Sequence, residues 1–373
     1  MIDDIETLVR CESPSSDHEA VARSAEAVAG IGRRLLGVEP ERIVTDGCTH
    51  LRWRFGDGPP RVLLLGHHDT VWPLGSLRTH PFSVEDGVLR GPGCFDMKAG
   101  VVMALHAAAA LPRRDGLSIL VTGDEEIGSP RSRALIEEEA KTCEAVFVLE
   151  ASADGGALKT RRKGVSLYRI EVEGRAAHAG LEPEKGVNAG IEVAHQILAV
   201  AALADPDRGT TVVPTALSAG TTTNTVPAAA SVAVDVRVWD AAEQERVDRA
   251  VRSLRPVHEN ARIRIAGGIN RPPLDVAASK DLFALARKFA AGPLTEAAVG
   301  GASDGNFTAG LGIPTLDGLG AVGGGAHADD EHVVVAELPR RTALLAALTE
   351  TVLAHRSSSV PTNARDESGA AQR

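Results

Sequence analysis

The sequence predicts an α/β protein with a mostly parallel central sheet and helices on both faces, interrupted by an inserted α+β unit. Three short apolar runs, at residues 62–65, 117–122 and 145–149, suit strands that are buried on both faces. Helix-like segments alternate with these runs, which favours parallel pairing. The middle third of the chain carries longer alternating runs, which indicate a separate unit with largely antiparallel strands.

The chain length indicates more than one domain. Its 373 residues exceed what one ordinary hydrophobic core supports, so about two domains are expected. We predict an inserted domain at residues 165–273, which divides the main domain into residues 1–164 and 274–356. Residues 357–373 are polar and Pro-interrupted, and we predict a disordered tail there.

Local patterns predict the individual elements. Helical spacing predicts helices over residues 3–11, 18–36, 101–111, 132–140, 188–203, 240–254, 279–290 and 338–354. Extended patterns predict further strands within residues 43–55, 81–87, 165–172, 211–217, 231–238 and 262–265, and near Pro314. The Ser- and Asp-containing segment at residues 13–17 can cap the second helix, and Asp46-Gly47 favours a turn.

Composition argues against several classes of protein. The net charge of −10 argues against a nucleic-acid groove, which needs a basic face. The first residues carry acid where a secretory signal carries base, and no apolar stretch approaches the ~20 residues of a membrane helix. We therefore expect a cytoplasmic protein. The scattered cysteines indicate neither disulfides nor a zinc knuckle; they are Cys11, Cys48, Cys94 and Cys143.

Potential metal ligands follow each of the three apolar runs. His67 and Asp69 follow the first run, and residues two apart on extended chain point the same way. Glu125 and Glu126 follow the second run, and Glu150 follows the third. Because function in open α/β sheets lies at the carboxyl ends of the strands, we expect these side chains along one edge of the sheet.

A further acid, Asp96, lies in a Gly-rich loop at residues 91–100, just before a predicted helix. Each feature alone has a simpler explanation: a polar loop, an N-cap aspartate or a solvated run of charges. Their joint occurrence at one sheet edge favours a centre for transition-metal ions.

Taken together, the motifs resemble the co-catalytic zinc hydrolases that include glutamate carboxypeptidase, acetylornithine deacetylase, succinyl-diaminopimelate desuccinylase and aminoacylase. The matching segments are, in order, G-H-H-D-T-V, G-P-G-C-F-D-M-K, T-G-D-E-E-I-G-S, L-E ending at Glu150, A-A-H-A-G, T-N-T-V-P, A-S-D-G-N and G-A-H-A-D-D-E. They extend from Gly66 to Glu331. The G-P-G segment before Asp96 and the G-L-G…G-A-H-A-D-D segment are most similar to the bacterial glutamate carboxypeptidase branch.

The resemblance implies two Zn²⁺ ions per subunit, with Co²⁺ or Mn²⁺ as alternatives. His67, Asp96 and Glu150 would hold one ion, while Asp96, Glu126 and His327 would hold the other, with Asp96 as the bridge. Each ion would keep room for a shared water, as catalytic zinc sites do.

The same resemblance implies roles for other residues. Glu125 would be the general base for a metal-bound hydroxide, and Asp69 would orient His67. The inserted domain would act as a lid and form a homodimer, so that His178 reaches the neighbouring subunit's site and stabilises the oxyanion. The implied substrate contacts are Asn224, Arg271 and Gly301, with Asp304 beside Gly301 at the pocket rim. The substrate-binding lysine of the family stays unassigned among Lys159, Arg161, Arg162 and Lys163, and the roles of His68 and Arg237 stay open.

These features predict a zinc-dependent hydrolase that releases a C-terminal amino acid, glutamate first, from a peptide or N-acyl amino acid. One alternative is an N-acyl-amino-acid deacylase, such as an acetylornithine deacetylase, which would use the same metal site on a different substrate. The other is a non-catalytic, metal-binding dimer scaffold. Glu125 argues against a scaffold, because no metal needs it beside Glu126.

Overall fold

The computed structural model describes residues 1–355, so the tail predicted at residues 357–373 lies outside the described residues. The α-helices of this part are α1 (Ile2–Arg10), α2 (His18–Leu36), α3 (Ala99–Ala110), α4 (Arg133–Ala140), α5 (Ala189–Ala201), α6 (Ala241–Arg252), α7 (Val276–Phe289), α8 (Gly305–Gly310) and α9 (Leu338–Ala354). Within residues 1–355, no helix combines the length and the apolar character needed to cross a membrane.

The strands of the described part form four sheets. They are β1 (Glu41–Thr45), β2 (Cys48–Arg54), β3 (Val62–His67), β4 (Ser83–Glu85), β5 (Val88–Arg90), β6 (Leu117–Thr122), β7 (Ala145–Val148), β8 (Leu158–Arg162), β9 (Gly164–Glu173), β10 (Thr211–Ala219), β11 (Ala229–Val238), β12 (Arg262–Arg271), β13 (Glu296–Val299), β14 (Thr315–Leu316), β15 (Gly323–Gly324) and β16 (His332–Val334).

The central sheet has the strand order β1-β2-β6-β3-β7-β14, and its last four strands are parallel. Side chains of β3 alternate between two cores, as a strand buried on both faces requires. Val62 and Leu64 pack in the core that contains α2, α3 and α9, whereas Leu63 and Leu65 pack in the core that contains α4 and Phe307 of α8. The predicted fold class is therefore confirmed.

The middle of the chain forms a second, antiparallel sheet in the order β10-β11-β9-β12. Its apolar face packs against α5 and α6 in a hydrophobic cluster of its own, which includes Val193 and Val247. Strand β12 extends beyond the predicted end at residue 265 to Arg271. It passes through Gly267 and Gly268, which interrupt the apolar alternation and adopt positive φ that other residues rarely take. A separate core is what the predicted insertion requires, although the bounds 165–273 stay a prediction.

Several short elements were not predicted. Strand β8 was interpreted only as a basic segment, and it pairs in parallel with β13. The small helix α8 and the strands β15 and β16 lie where no helix or strand was predicted. These elements are short or Gly-rich, so their sequences carry too few apolar residues to show a period.

Candidate metal centre and active site

The carboxyl edge of the central sheet collects the predicted ligands. His67 is the last residue of β3, and it pairs in register with Thr122 at the end of β6. Glu125 and Glu126 follow β6 on a short 3₁₀ turn, and Glu150 follows β7. Their proximity therefore follows from the parallel register of three neighbouring strands.

Two groups of side chains meet at Asp96. The Nε2 atom of His67 lies 3.5 Å from Asp96 Oδ1 and 3.5 Å from Glu150 Oε1. The Nε2 atom of His327 lies 3.2 Å from Asp96 Oδ2 and 3.1 Å from Glu126 Oε2. Ligands about 2.0–2.1 Å from a tetrahedral zinc ion are roughly 3.3 Å apart. The spacing therefore fits two cations, with one oxygen of Asp96 directed toward each group.

Several polar atoms of this centre lack partners within residues 1–355. His67 Nε2, Asp96 Oδ1 and Glu126 Oε1 are buried without a hydrogen bond, which is costly unless another group satisfies them. Hydrogen bonds to Asp96 and Glu126 raise the pKa of His327 to about 10. A field that stabilises an imidazolium also stabilises a metal cation, so both the atoms and the charges fit a metal ion.

Asp69 orders the residues around it. Its Oδ2 atom accepts hydrogen bonds from Ser15 Oγ at 2.6 Å and from the Glu126 amide at 3.2 Å. Its Oδ1 atom accepts from the Glu125 amide at 3.2 Å and lies 3.4 Å from His67 Nδ1. With Nδ1 facing Asp69, the His67 ring directs Nε2 toward Asp96, as an orienting acceptor should.

Arg271 is buried beside Glu125. Its Nη2 atom lies 2.9 Å from Glu125 Oε1 and 2.9 Å from Asp304 Oδ1. Burial raises the pKa of Glu125 well above its ordinary value, and the charge of Arg271 opposes that rise. Asp304 is only 3% exposed and also accepts from Thr122, so its predicted position at the pocket rim is wrong. The predicted substrate contact Arg271 instead pairs with the predicted base in this conformation.

A cavity of about 660 Å³ opens onto the metal-ligand groups. Its wall contains Glu125, Glu126 and His327 from the metal-ligand groups, together with Lys159 and Gly301. The rest of the wall consists mostly of small side chains, including several alanines in β13 and in the segments around it. Such a cavity suits a small substrate with a polar end group.

The basic side chains of residues 159–163 make different contacts. Arg162 is 3% exposed and forms ion pairs with Asp317 at 2.8 Å and with Glu150 at 3.2 Å. Arg161 and Lys163 lie over the ring of Trp239 instead. Lys159 lines the cavity, and within residues 1–355 its ammonium has no hydrogen-bond or ion-pair partner. It is therefore the cation of this segment that is available to a substrate.

The buried ion pairs that connect Glu150 to Arg162 and Asp317 were not predicted. Asp317 follows strand β14 and holds Arg162, which in turn contacts Glu150. An acid directly after an apolar strand was the signal that identified Glu150 itself. The same signal is present in T-L-D at residues 315–317, where the strand is too short to be conspicuous.

The predicted residues of the second sheet lie apart from the cavity. His178 and Asn224 are exposed neighbours, because the Ala179 amide donates to the Asn224 carbonyl at 2.9 Å. The Nδ1 atom of His178 accepts from the amides of Gly180 and Leu181, which leaves Nε2 outward. In the part of one chain that the structure describes, neither His178 nor Asn224 lines the cavity. The two residues whose roles were not assigned from sequence also have partners. Arg237 pairs with Asp235, and buried His68 contacts the Thr49 carbonyl.

Another buried group of potential ligands comprises Cys48, His50 and Asp124. The Asp124 carboxylate already accepts from the Arg131 amide and from Ser132 Oγ. Burial raises the pKa of Cys48 to about 12, which keeps the thiol protonated. These contacts indicate a structural network.

Comparisons with known proteins agree with this geometry. A sequence model of "Peptidase family M20/M25/M40" matches residues 63–351. Carboxypeptidase G2 from Pseudomonas sp. (strain RS-16) is 31% identical over 369 residues, covering 93% of this chain and 88% of the relative. Succinyl-diaminopimelate desuccinylase from Xanthomonas euvesicatoria pv. vesicatoria (strain 85-10) is 31% identical over 373 residues, covering 90% and 97%.

Solved structures share the fold. The M20 family metallo-carboxypeptidase Sso-CP2 from Sulfolobus solfataricus matches with a TM-score of 0.73 at 17% identity, covering 94% of this chain and 98% of that structure. Aminopeptidase PepT from Bacillus cereus ATCC 10987 matches with a TM-score of 0.72 at 23% identity and the same coverage. The predicted resemblance is thus confirmed: the chain belongs to peptidase family M20/M25/M40, a family of metallopeptidases and related amidohydrolases.

Proposed function

We propose that this chain hydrolyses a peptide or an N-acyl amino acid and releases the C-terminal amino acid, with glutamate as the preferred product. The observation that carries the proposal is the cavity that joins the metal-ligand groups to the unpaired ammonium of Lys159. An ammonium group at that place would bind a side-chain carboxylate. Carboxypeptidase G2, among the relatives, agrees with such a product.

Two zinc ions are the proposed metals, with Co²⁺ or Mn²⁺ as alternatives. His67, Asp96 and Glu150 would hold one ion, and Asp96, Glu126 and His327 the other. When bound, zinc acts as a Lewis acid and makes water acidic enough to attack near neutral pH. The unpartnered buried atoms of these residues support this assignment.

The chain's own residues would carry the proton. The Glu125 carboxylate takes the proton of the attacking water and later passes it to the leaving amine, which is general acid–base catalysis. Arg271 pairs with Glu125 in this conformation and opposes the rise in the pKa of that carboxylate that burial causes. Asp69 holds His67 and the amides of both glutamates in place. Asn224, Arg271 and Gly301 remain the proposed substrate contacts, the first two after movement of the lid.

A homodimer in the cytoplasm is the proposed assembly. The inserted domain at residues 165–273 exposes apolar side chains on α5 and on β10, which lies at the edge of its sheet: Ile191 is 60% exposed, Leu198 69% and Leu217 60%. Exposed apolar side chains and an open sheet edge both favour association. A second chain there would allow the outward Nε2 of His178 to serve the neighbouring site, where it would donate to the developing oxyanion.

A deacylase is the second candidate. The desuccinylase relative is as similar overall, and Asp154 and Glu296 also line the cavity, where they could bind an ammonium on the substrate. The test is a panel of N-acyl amino acids, including acylated glutamate, N-acetylornithine and N-succinyl-diaminopimelate, with the released amino acid identified. Preferential release of ornithine or diaminopimelate by the zinc-loaded enzyme would contradict a glutamate product. No turnover of any member would favour the metal-binding scaffold.

A further inference from the structure

The last acid of the G-A-H-A-D-D-E motif, Glu331, is buried beneath the metal centre with 3% exposure. Its Oε1 atom accepts hydrogen bonds from the amides of Phe95 at 2.9 Å and Asp96 at 3.0 Å. Its Oε2 atom accepts from the Gly93 amide at 2.8 Å and from Trp72 Nε1 at 2.7 Å. Each carboxylate oxygen therefore receives two N–H donors.

These four donors connect three segments that carry, or lie close in sequence to, proposed metal ligands. Trp72 lies in the loop after β3, which begins directly after His67. The amides belong to the loop that carries Asp96, and Glu331 itself lies four residues after His327. Successive backbone amides that converge on one carboxylate form an anion-binding concavity. Here the anion belongs to the chain and ties the loops together.

We infer that Glu331 is a positioning residue that fixes the bridging carboxylate of Asp96 relative to His327. The inference rests on the proposed metal centre. Because the amide of Asp96 is itself held by Glu331, a change at Glu331 moves the backbone that carries the bridge. The 3.2 Å separation of Asp96 Oδ2 and His327 Nε2 depends on that backbone position. Outer partners of metal ligands typically contribute 10–100-fold to metal affinity.

The substitution Glu331→Gln tests this inference. A glutamine keeps the shape, but its NH₂ group must face two N–H donors whichever way the amide turns. We expect zinc affinity, measured by competition with a chromophoric chelator, to fall by about 10–100-fold. Activity should recover when free zinc is raised. Unfolding of the metal-free protein, followed by circular dichroism, reports the cost to the fold separately.

Glu12→Gln is the matched control. The Glu12 carboxylate also accepts two backbone amides, from Gly75 at 2.8 Å and Leu77 at 2.9 Å, which lie beyond Trp72 in the segment between β3 and β4 and not in the segment that carries Asp96. We expect wild-type zinc affinity from Glu12→Gln. Wild-type affinity in Glu331→Gln, or an equal loss in the control, would overturn the inference.

A second variant keeps the test decisive if Glu331→Gln does not fold. Trp72→Phe removes one of the four donors, and about a 2- to 10-fold loss of zinc affinity is expected from a single hydrogen bond. No loss in that folded variant would contradict the role of Glu331. If the wild-type protein bound no zinc, or if Asp96→Ala bound it normally, the proposed metal centre itself would fail.

Discussion

Arg271 Nη2 lies 2.9 Å from Glu125 Oε1, so the proposed general base is paired with a cation at the end of β12. The two residues are 146 positions apart in sequence: Glu125 follows a strand of the central sheet, and Arg271 ends a strand of the antiparallel sheet. The contact joins the base to the antiparallel sheet, and it favours the ionised form of a buried carboxylate.

We predict that Glu125→Gln keeps the fold and the metal but loses turnover. The amide oxygen can still accept from Arg271, whereas the proton acceptor is lost. Turnover should fall by roughly 10²–10⁴-fold, the usual contribution of a general base. Steady-state kinetics and metal analysis of the same preparation measure both effects. Near-normal kcat would remove Glu125 from this role.

Asp96→Ala should lose metal as well as rate. The two proposed ions would repel each other a few Å apart without a shared anion. Mass spectrometry of the dialysed protein should therefore find fewer than two metal ions per chain. Two fully occupied sites in this variant would count against the bridge.

Lys159→Met should change substrate preference. We expect KM for an N-acyl glutamate to rise at least about 10-fold, since one charged hydrogen bond contributes about 1.5–3 kcal/mol. An N-acyl alanine should be affected little. Lys163→Met is the control, because Lys163 lies over Trp239 rather than in the cavity. Equal effects on both substrates would show that Lys159 does not bind the side-chain carboxylate.

His178→Ala and Glu125→Gln should complement each other if His178 acts across subunits. The two inactive variants are unfolded and refolded together. Random pairing makes about half of the dimers mixed, each with one intact site, so roughly a quarter of wild-type activity should return. Mixed dimers without recovered activity would show that His178 acts in its own chain or not at all.

Glu243 should make the stability of the second sheet depend on acid pH. Hydrogen bonds from Arg246, and also from Thr210 and Arg208, lower the pKa of this fully buried carboxylate from 4.5 to about 2. The contribution is complete above the unfolded value near 4.5 and is lost as pH falls toward 2. Glu243→Gln should therefore lower Tm at pH 7, and the difference from wild type should shrink below pH 4.

Thermal unfolding at pH 7 and at pH 3 measures this difference. Glu245→Gln is the control on the same helix, since Glu245 pairs with Arg249 at the surface, where ion pairs contribute little. A Tm difference for Glu243→Gln that did not change with pH would contradict the ionic origin.

Local sequence patterns were sufficient to predict those elements whose start and end are determined by neighbouring residues. The predicted bounds of α2 agree with the observed ones because Asp17 caps its first turn and Gly37 ends it in a left-handed conformation. The ligand-bearing edge was predictable because each acid directly follows its apolar strand. Long-range partners were not, since nothing near Arg271 in sequence indicates Glu125. The basic segment could not be divided from sequence, because only the folded structure places Lys159 and Arg162 at the cavity and Arg161 and Lys163 over Trp239.

The pairing of β9 with β12 has a consequence for how such a chain can be assembled. Val165, near the start of the second sheet, is the register partner of Arg271 at its end. The polypeptide therefore leaves the main domain and returns to it at almost the same point. An insertion whose ends meet imposes little closure entropy on its host. A short linker in place of residues 166–270 should then preserve the central sheet, and a gene could gain or lose this module without rearranging the rest of the fold.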